Sequence, residues 1–427
     1  MKITVLNGNP DANDIPFDNY LKELSGKLQA DQYQVQVLDL RDMEIRYCIG
    51  CFGCWVKTPG ECFAPDESKQ VRQAVIQSDF TLFASPLRMG FQSALLKRMM
   101  DKLIPLIHPY FVVDRNEAHH RARYDHYPRF GLLLQKEIDT DTEDLRIVGD
   151  IFSRTALNLK TRLAFSMLTD QPVERVAEAI TTPSAASVPF EPYPKPTNGV
   201  RIQPPTRITV FNGSPRGSKG NTPILLENFL KGFTANGKRS YQLYHLNHLK
   251  DADVFREVYG QAECVLLGFP LYTDGMPGFV KTFIESLEGY RGRKGNPPIG
   301  FVVHSGFPEA VHSRHVEKYL QKLAARLDAP YIGTLVKGGS EGVRLMPENM
   351  NRKLFDALFE TGRTFAETGQ FDPLLLQQIA KPEKYPFYLA PIFKLLSRTP
   401  LSSFYWDGLL KRNGAYEQRF AKPYAKS

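Results

Sequence analysis

Ile3-Thr4-Val5-Leu6-Asn7-Gly8 and, 205 positions later, Ile208-Thr209-Val210-Phe211-Asn212-Gly213 are nearly the same stretch written twice. Each is an uncharged aliphatic run ending in Asn-Gly, which reads as a buried strand entering a turn. The echo continues downstream. Ser85-Pro86-Leu87 answers Phe269-Pro270-Leu271, and the helical Ala94-Leu95-Leu96-Lys97 answers Gly278-Phe279-Val280-Lys281. Internal duplication is the economical explanation. In the second half the apolar runs at 207–212, 241–246, 263–269, 299–304 and 331–336 read as strands. The amphipathic stretches at 223–233, 277–287, 309–327 and 348–367 read as helices. Such alternation predicts an α/β architecture: two doubly wound, five-stranded parallel-sheet domains in tandem, a pseudo-dimer within one chain.

Length and charge narrow the partners. The chain has 427 residues, 42% hydrophobic and 23% charged, which excludes wholesale disorder. No apolar run reaches the roughly 18 residues of a membrane span, and the N-terminus reads as a strand, so the expected location is cytoplasmic. The net charge of +8 is uneven: residues 1–180 hold 22 basic and 25 acidic groups, residues 381–427 hold 9 and 3. No basic stripe or binding motif suggests nucleic acid. Seven prolines between 182 and 206 mark a linker. The expected division is 1–181, the linker 182–206, a second domain 207–370 and a basic aromatic extension 371–427.

The second-half strand leads into Asn212-Gly213-Ser214-Pro215-Arg216-Gly217-Ser218-Lys219-Gly220-Asn221-Thr222-Pro223. Glycines, hydroxyls and cations ahead of a helix make an oxyanion cradle, with Thr222 expected as N-cap and Pro223 in the first turn. A solvated loop with a good cap would carry the same residues. The loop resembles the FMN-phosphate loop of the NADPH-dependent FMN reductases and their multimeric-flavodoxin relatives. Two further loops, Gly268-Phe269-Pro270-Leu271-Tyr272-Thr273-Asp274-Gly275-Met276-Pro277 and His304-Ser305-Gly306-Phe307-Pro308-Glu309, are similar to that family's flavin loops in the same order.

The resemblance implies flavodoxin-like domains. It implies an FMN held by Ser214, Arg216, Ser218, Asn221, Thr222, Pro270, Leu271, Tyr272, Thr273, Met276, Ser305 and Gly306, with Tyr272 and Met276 against the ring. It also implies NAD(P)H as co-substrate and a small-molecule electron acceptor such as a quinone, a flavin, or a nitro or azo compound. No general acid or base is expected, since the cofactor carries the reaction.

The first half resembles the same family with a changed loop. Asn7-Gly8-Asn9-Pro10-Asp11-Ala12-Asn13-Asp14 lacks the hydroxyls and the arginine, and Asp11 and Asp14 would repel a phosphate. This half is expected to bind no FMN, or to bind it badly. Ser85-Pro86-Leu87-Arg88-Met89-Gly90 still looks like a ring-side loop, either inherited or lent as a wall. An insertion carries Cys48, Cys51, Cys54 and Cys62. It is similar to the cysteine segment of iron-sulfur flavoproteins, which implies a [4Fe–4S] cluster. Free or transiently oxidised thiols and a Cys₄ zinc site stay open. Cys264 reads as a small core residue.

His108, His119, His120 and His126 are read as lying in or near a polar loop rather than as metal ligands. The tail mixes Phe387, Tyr388, Phe393, Phe404, Tyr405 and Trp406 with basic residues, and is expected to pack across the halves or over the flavin. Pro386, Pro391 and Pro400 break any long amphipathic helix and weigh against a membrane-surface role. The alternatives to a reductase are an electron-transfer protein serving a redox partner protein, and a redox sensor.

Overall fold

The computed structural model describes residues 1–114, 116–182, 193–386, 388–397 and 399–425. Pro183, Pro189 and Pro192 of the linker and Phe387 of the tail lie outside them. The chain divides into two compact units: Met1–Pro192 together with Phe387–Ser427, and Tyr193–Pro386.

The first unit contains β1 (Lys2–Asn7), β2 (Gln34–Asp39), β3 (Phe80–Arg88), β4 (Phe91–Gln92), β5 (Ile107–Asp114), β6 (Glu117–Ala122), β7 (Arg129–Gln135) and β8 (Leu163–Leu168). The main sheet runs β2-β1-β3-β7-β8, every pair parallel, with β4 folded back antiparallel on β3. Ile3, Val5, Phe80, Leu82 and Leu133 meet Phe17, Leu21, Leu24 and Leu28 of the helix Ile15–Ala30 in one core.

The second unit contains β9 (Arg207–Asn212), β10 (Ser240–His245), β11 (Val265–Pro270), β12 (Ile299–His304) and β13 (Tyr331–Lys337). They are ordered β10-β9-β11-β12-β13 and all parallel. Both sheets therefore have the flavodoxin-like order 2-1-3-4-5. Every residue of β12 is buried, which is why it reads as an unbroken apolar run. The helices Asn221–Phe233 and Glu348–Thr368 cross with backbone nearly in contact. A Cβ on Gly232 would lie 1.8 Å from the Phe359 carbonyl oxygen, and one on Gly362 would lie 1.9 Å from that of Phe229.

Three sequence expectations are revised. Residues 193–202 are not a free linker: Val200 N–H donates to Tyr331 O (2.8 Å), Ile202 N–H to Gly369 O (3.0 Å), and Thr197 N–H to Glu317 Oε1 (3.0 Å). The tail is not a separate extension from 371. Its helices Ala390–Leu396 and Pro400–Arg412 belong to the first unit, where Trp406 and Leu410 pack with Cys54, Trp55 and Tyr110.

The stretch read as a polar loop around His119 and His120 is instead β6, paired antiparallel with β5. Burial pushes His108 down to about 3 and His119 to about 4, so both are neutral core residues. His119 Nδ1 lies 2.7 Å from Asn158 Oδ1.

Candidate functional site

In an open parallel sheet ligands gather beyond the carboxyl ends of the strands, where the strand order reverses. In the second unit that point lies between β9 and β11, and four loops converge there. Gly213 N–H donates to Gly268 O (2.6 Å), Leu271 N–H to His304 O (2.7 Å), Ser305 N–H to Lys337 O (3.0 Å) and Gly339 N–H to Phe307 O (2.6 Å). The first three loops are the ones singled out in the sequence. The fourth, after β13, was missed, although Gly338-Gly339-Ser340-Glu341-Gly342 is as turn-prone as the others.

The loop after β9 differs in detail from its sequence reading. The helix begins at Asn221 with Gly220 as N-cap, so Thr222 is not the cap and Pro223 is its third residue. The amides of Asn221 and Thr222 lead the helix and have no carbonyl within it, so they form the anion-facing end. The Thr222 hydroxyl is turned inward to His304 Nε2 (2.8 Å), and His304 Nδ1 meets Ser340 Oγ (2.7 Å). Burial, with the Arg216 charge adding to it, pushes His304 down to about 3, so it is a neutral strut between two loops.

Arg216 is not a spare cation for a phosphate either: both Glu341 oxygens lie 3.1 Å from its Nη2. Burial favours the neutral form of each, yet the Glu341 charge holds Arg216 above its ordinary value, while burial keeps Glu341 above its own. Arg344 reaches the rim, donating to Ser218 O (3.2 Å) and Gly220 O (2.7 Å). Arg216, Lys219 and Arg344 against Glu341 leave two net positive charges, a match for a phosphate dianion. Ser214 and Asn221 are buried, Ser218 is exposed, and Asn221 Oδ1 is buried with no hydrogen-bond partner among the described residues. That orphaned acceptor and the open helix end fit a phosphorylated polyol.

On the ring-side loop Pro270, Leu271, Tyr272 and Thr273 are half-buried and can line a cleft. Thr273 (φ 42°) and Asp274 (φ 56°) sit in the left-handed region, closing a turn in which Tyr272 and Gly275 exchange both backbone hydrogen bonds. Met276, expected against the ring, is fully buried. Ser305 is buried, its hydroxyl bonded to Phe307 O (3.1 Å), and Gly306 is exposed.

The equivalent end of the first unit is filled by its own carboxylates. Asp14 caps the helix Ile15–Ala30, accepting from Phe17 N–H (3.4 Å), and Asp11 accepts from Asn13 N–H (2.9 Å). On the β3–β4 turn, Met89 and Gly90 N–H groups, both at positive φ, clasp the two Glu137 oxygens at 2.7 Å each. The amides of Asn13, Phe17, Met89 and Gly90 are thereby bonded within the chain.

The four cysteines converge in this unit. Cys48, Cys51 and Cys62 all act on the Cys54 thiol, which burial pushes well up; Cys48 is pushed up to about 12 by the same cause. Among the described residues no three His, Cys, Asp or Glu side chains are grouped to hold a single metal ion, so the zinc alternative gains no support. Burial makes Cys48 and Cys54 poor thiolates, while Cys51 is exposed.

The surroundings are cationic. Arg72 and Arg123 are 1% and 2% exposed. Arg72 donates to Tyr424 Oη, Ser68 Oγ and Lys102 O, and Arg123 to the carbonyls of Pro105, Arg419 and Ala421. Among the described residues neither meets a carboxylate, and Arg123 Nη2 has no partner. Lys102 is balanced by Asp66 (2.8 Å) and touches Cys62 Sγ (3.3 Å). Four thiolates on a [4Fe–4S]²⁺ core carry two net negative charges, which would balance the two arginines.

Residues 1–122, from β1 through β6, match the family model described as NADPH-dependent FMN reductase. An iron-sulfur flavoprotein of Archaeoglobus fulgidus is 31% identical over 91 residues, covering 21% of this chain and 39% of that protein. One of Methanocaldococcus jannaschii is 28% identical over 109 residues, covering 25% and 53%. The chain spans about half the length, or less, of the curated relatives it matches. Among solved structures, the NAD(P)H:quinone oxidoreductase from Methanothermobacter marburgensis aligns with a TM-score of 0.30 and 14% identity over 37% of this chain and 95% of that one. The family match thus falls on the unit with the carboxylate-filled loop.

Proposed function

We propose that the chain is an FMN-dependent NAD(P)H oxidoreductase that binds one FMN, in its second unit, and passes electrons to a small acceptor such as a quinone, a flavin, or a nitro or azo compound. The observation that carries this reading is the contrast between the two loops: the helix end at Asn221 is open and ringed by cations, while that at Ile15 is capped by Asp14. The amides of Asn221 and Thr222, with Ser214, Ser218 and Lys219, would hold the phosphate beside the Arg216–Glu341 pair, and Asn221 Oδ1 would accept from a ribityl hydroxyl. Pro270, Leu271, Tyr272 and Thr273 would line the ring, and Ser305 and Gly306 would close over it. Bound there, FMN would accept a hydride from the nicotinamide and release electrons to the acceptor. The protein's part is to orient the ring and exclude water; neutral His304 fixes Thr222 and moves no proton.

Anaerobic protein reconstituted with FMN should lose its flavin absorbance on addition of NADH or NADPH and regain it with a soluble quinone. Absence of bleaching with either nucleotide would remove the reductase reading.

Buried Arg72 and Arg123, lacking carboxylates, favour a companion reading for the first unit: Cys48, Cys51, Cys54 and Cys62 would hold a [4Fe–4S] cluster, a one-electron store. A redox partner protein served by that cluster is the alternative destination for the electrons.

A further inference from the structure

The prolines that rule out one long amphipathic helix in the tail leave two short ones, and their outward sides are apolar. In the helix Ala390–Leu396, Ile392, Leu395 and Leu396 follow i, i+3, i+4 spacing and are all exposed, Leu395 at 68%. In the helix Pro400–Arg412, Trp406 and Leu410 (i, i+4) are buried. Trp406 lies edge-on to Phe52 and Trp55, with centroids 5.3 and 5.2 Å apart. On the same helix Phe404 is 80% exposed and Tyr405 39%. The helix is thus apolar on two sides, and the chain covers one of them. A helix apolar on more than one side is ordinarily buried on more than one, so the outward side calls for a second cover.

Charge identifies that cover. Between residues 388 and 412 the sequence holds Lys394, Arg398, Lys411 and Arg412 and a single acid, Asp407. Asp407 is spent on the Tyr110 and Ser403 hydroxyls, both at 2.7 Å. Lys394, Lys411 and Arg412 are exposed. Exposed leucine, isoleucine and aromatic side chains interleaved with lysine and arginine, and no free acid, are the composition of helices that lie in the plane of an anionic membrane. Thirteen residues extend only about 20 Å as a helix, too short to cross a bilayer, and among the described residues no helix is long and apolar enough to do so.

We propose that the helices Ala390–Leu396 and Pro400–Arg412 form a docking surface for an anionic lipid membrane, with Ile392, Leu395, Leu396 and Phe404 entering the headgroup–acyl boundary and Lys394, Lys411 and Arg412 facing lipid phosphates. Trp406 and Leu410 anchor this surface on the first unit. The cysteine segment then lies on the other side of one helix, about 10 Å thick, from the lipid. Lipid binding at this surface requires neither bound flavin nor turnover.

The test is co-sedimentation of the full chain with phosphatidylcholine vesicles, with and without phosphatidylglycerol, at low and high salt. The wild-type chain should sediment with the phosphatidylglycerol vesicles, at least about tenfold less with phosphatidylcholine alone, and less again at high salt. Leu395→Glu and Phe404→Glu, at solvent-facing positions, should each lower binding about tenfold while the circular dichroism spectrum and melting temperature stay unchanged. Failure of the wild-type chain to bind anionic vesicles would overturn the proposal, as would equal binding by the two variants. A dimer seen by light scattering in the wild type and lost in Phe404→Glu would assign the surface to a second copy of the chain, and would also overturn it.

Discussion

Gly220→Ala should weaken FMN binding at least about 100-fold, equivalent to about 2.7 kcal/mol, and leave the fold intact. A Cβ at this position would stand 2.0 Å from Ser214 Oγ and 2.9 Å from Ser214 Cβ. Ser214 has little room to yield, because it is buried and its hydroxyl accepts from Arg216 N–H (3.3 Å). The backbone of Gly220 is ordinary (φ −82°), so the effect is steric and confined to the loop that leads the helix amides to the phosphate. Gly289→Ala, where a Cβ meets nothing within 4 Å, is the silent control. Flavin-fluorescence titration of both variants checks this; an unchanged dissociation constant for Gly220→Ala would place the phosphate elsewhere.

The second large effect concerns Arg123. A buried guanidinium held only by carbonyls, with one nitrogen unpartnered, is a cost to the empty protein. Burial accordingly depresses its pKa. If an anionic cluster sits on the cysteines, Arg123→Met removes a compensating charge next to it. Iron retention by anaerobically purified protein should then fall about 10- to 100-fold, the range seen when groups around a metal's own ligands are lost. The same change strips a donor from the carbonyls of Pro105, Arg419 and Ala421, so the metal-free chain should lose about 1–3 kcal/mol of stability. Iron content with sulfide analysis, beside a thermal melt, measures both. Full iron in Arg123→Met would mean the arginine balances nothing at the thiols, and iron absent from the wild type would remove the cluster.

The sheets were legible because their signal is local. β9 and β12 begin and end where the apolar runs do, and the five second-unit strands are parallel as the strand-helix alternation implies. The loop's composition located the candidate phosphate site, but its wiring was set by distant residues. Arg216 is engaged by Glu341, 125 positions away, and the Thr222 hydroxyl by His304, 82 positions away. Nothing in the loop itself signals either partner. Thr222-Pro223 looked like a cap and a first turn because those residues have those preferences in isolation; the helix instead starts at Asn221 with Gly220 as its cap.

In the first unit, Asp11 and Asp14 announced a loop hostile to phosphate. Their bonds to the Asn13 and Phe17 amides emerged only with the backbone in place. The β5–β6 hairpin was missed because His-His-Arg-Ala-Arg reads as polar, although β6 is buried through His119 and both His108 and His119 are neutral in the core. The tail's berth against Phe52 and Trp55 is a contact across some 350 residues, which no local pattern encodes.

The most direct measurement is the flavin stoichiometry of the full chain after anaerobic reconstitution and gel filtration, repeated for Gly220→Ala. The wild type should hold one FMN per chain and the variant almost none. Two flavins per chain, or one that survives Gly220→Ala, would show that the carboxylate-filled loop of the first unit binds FMN after all.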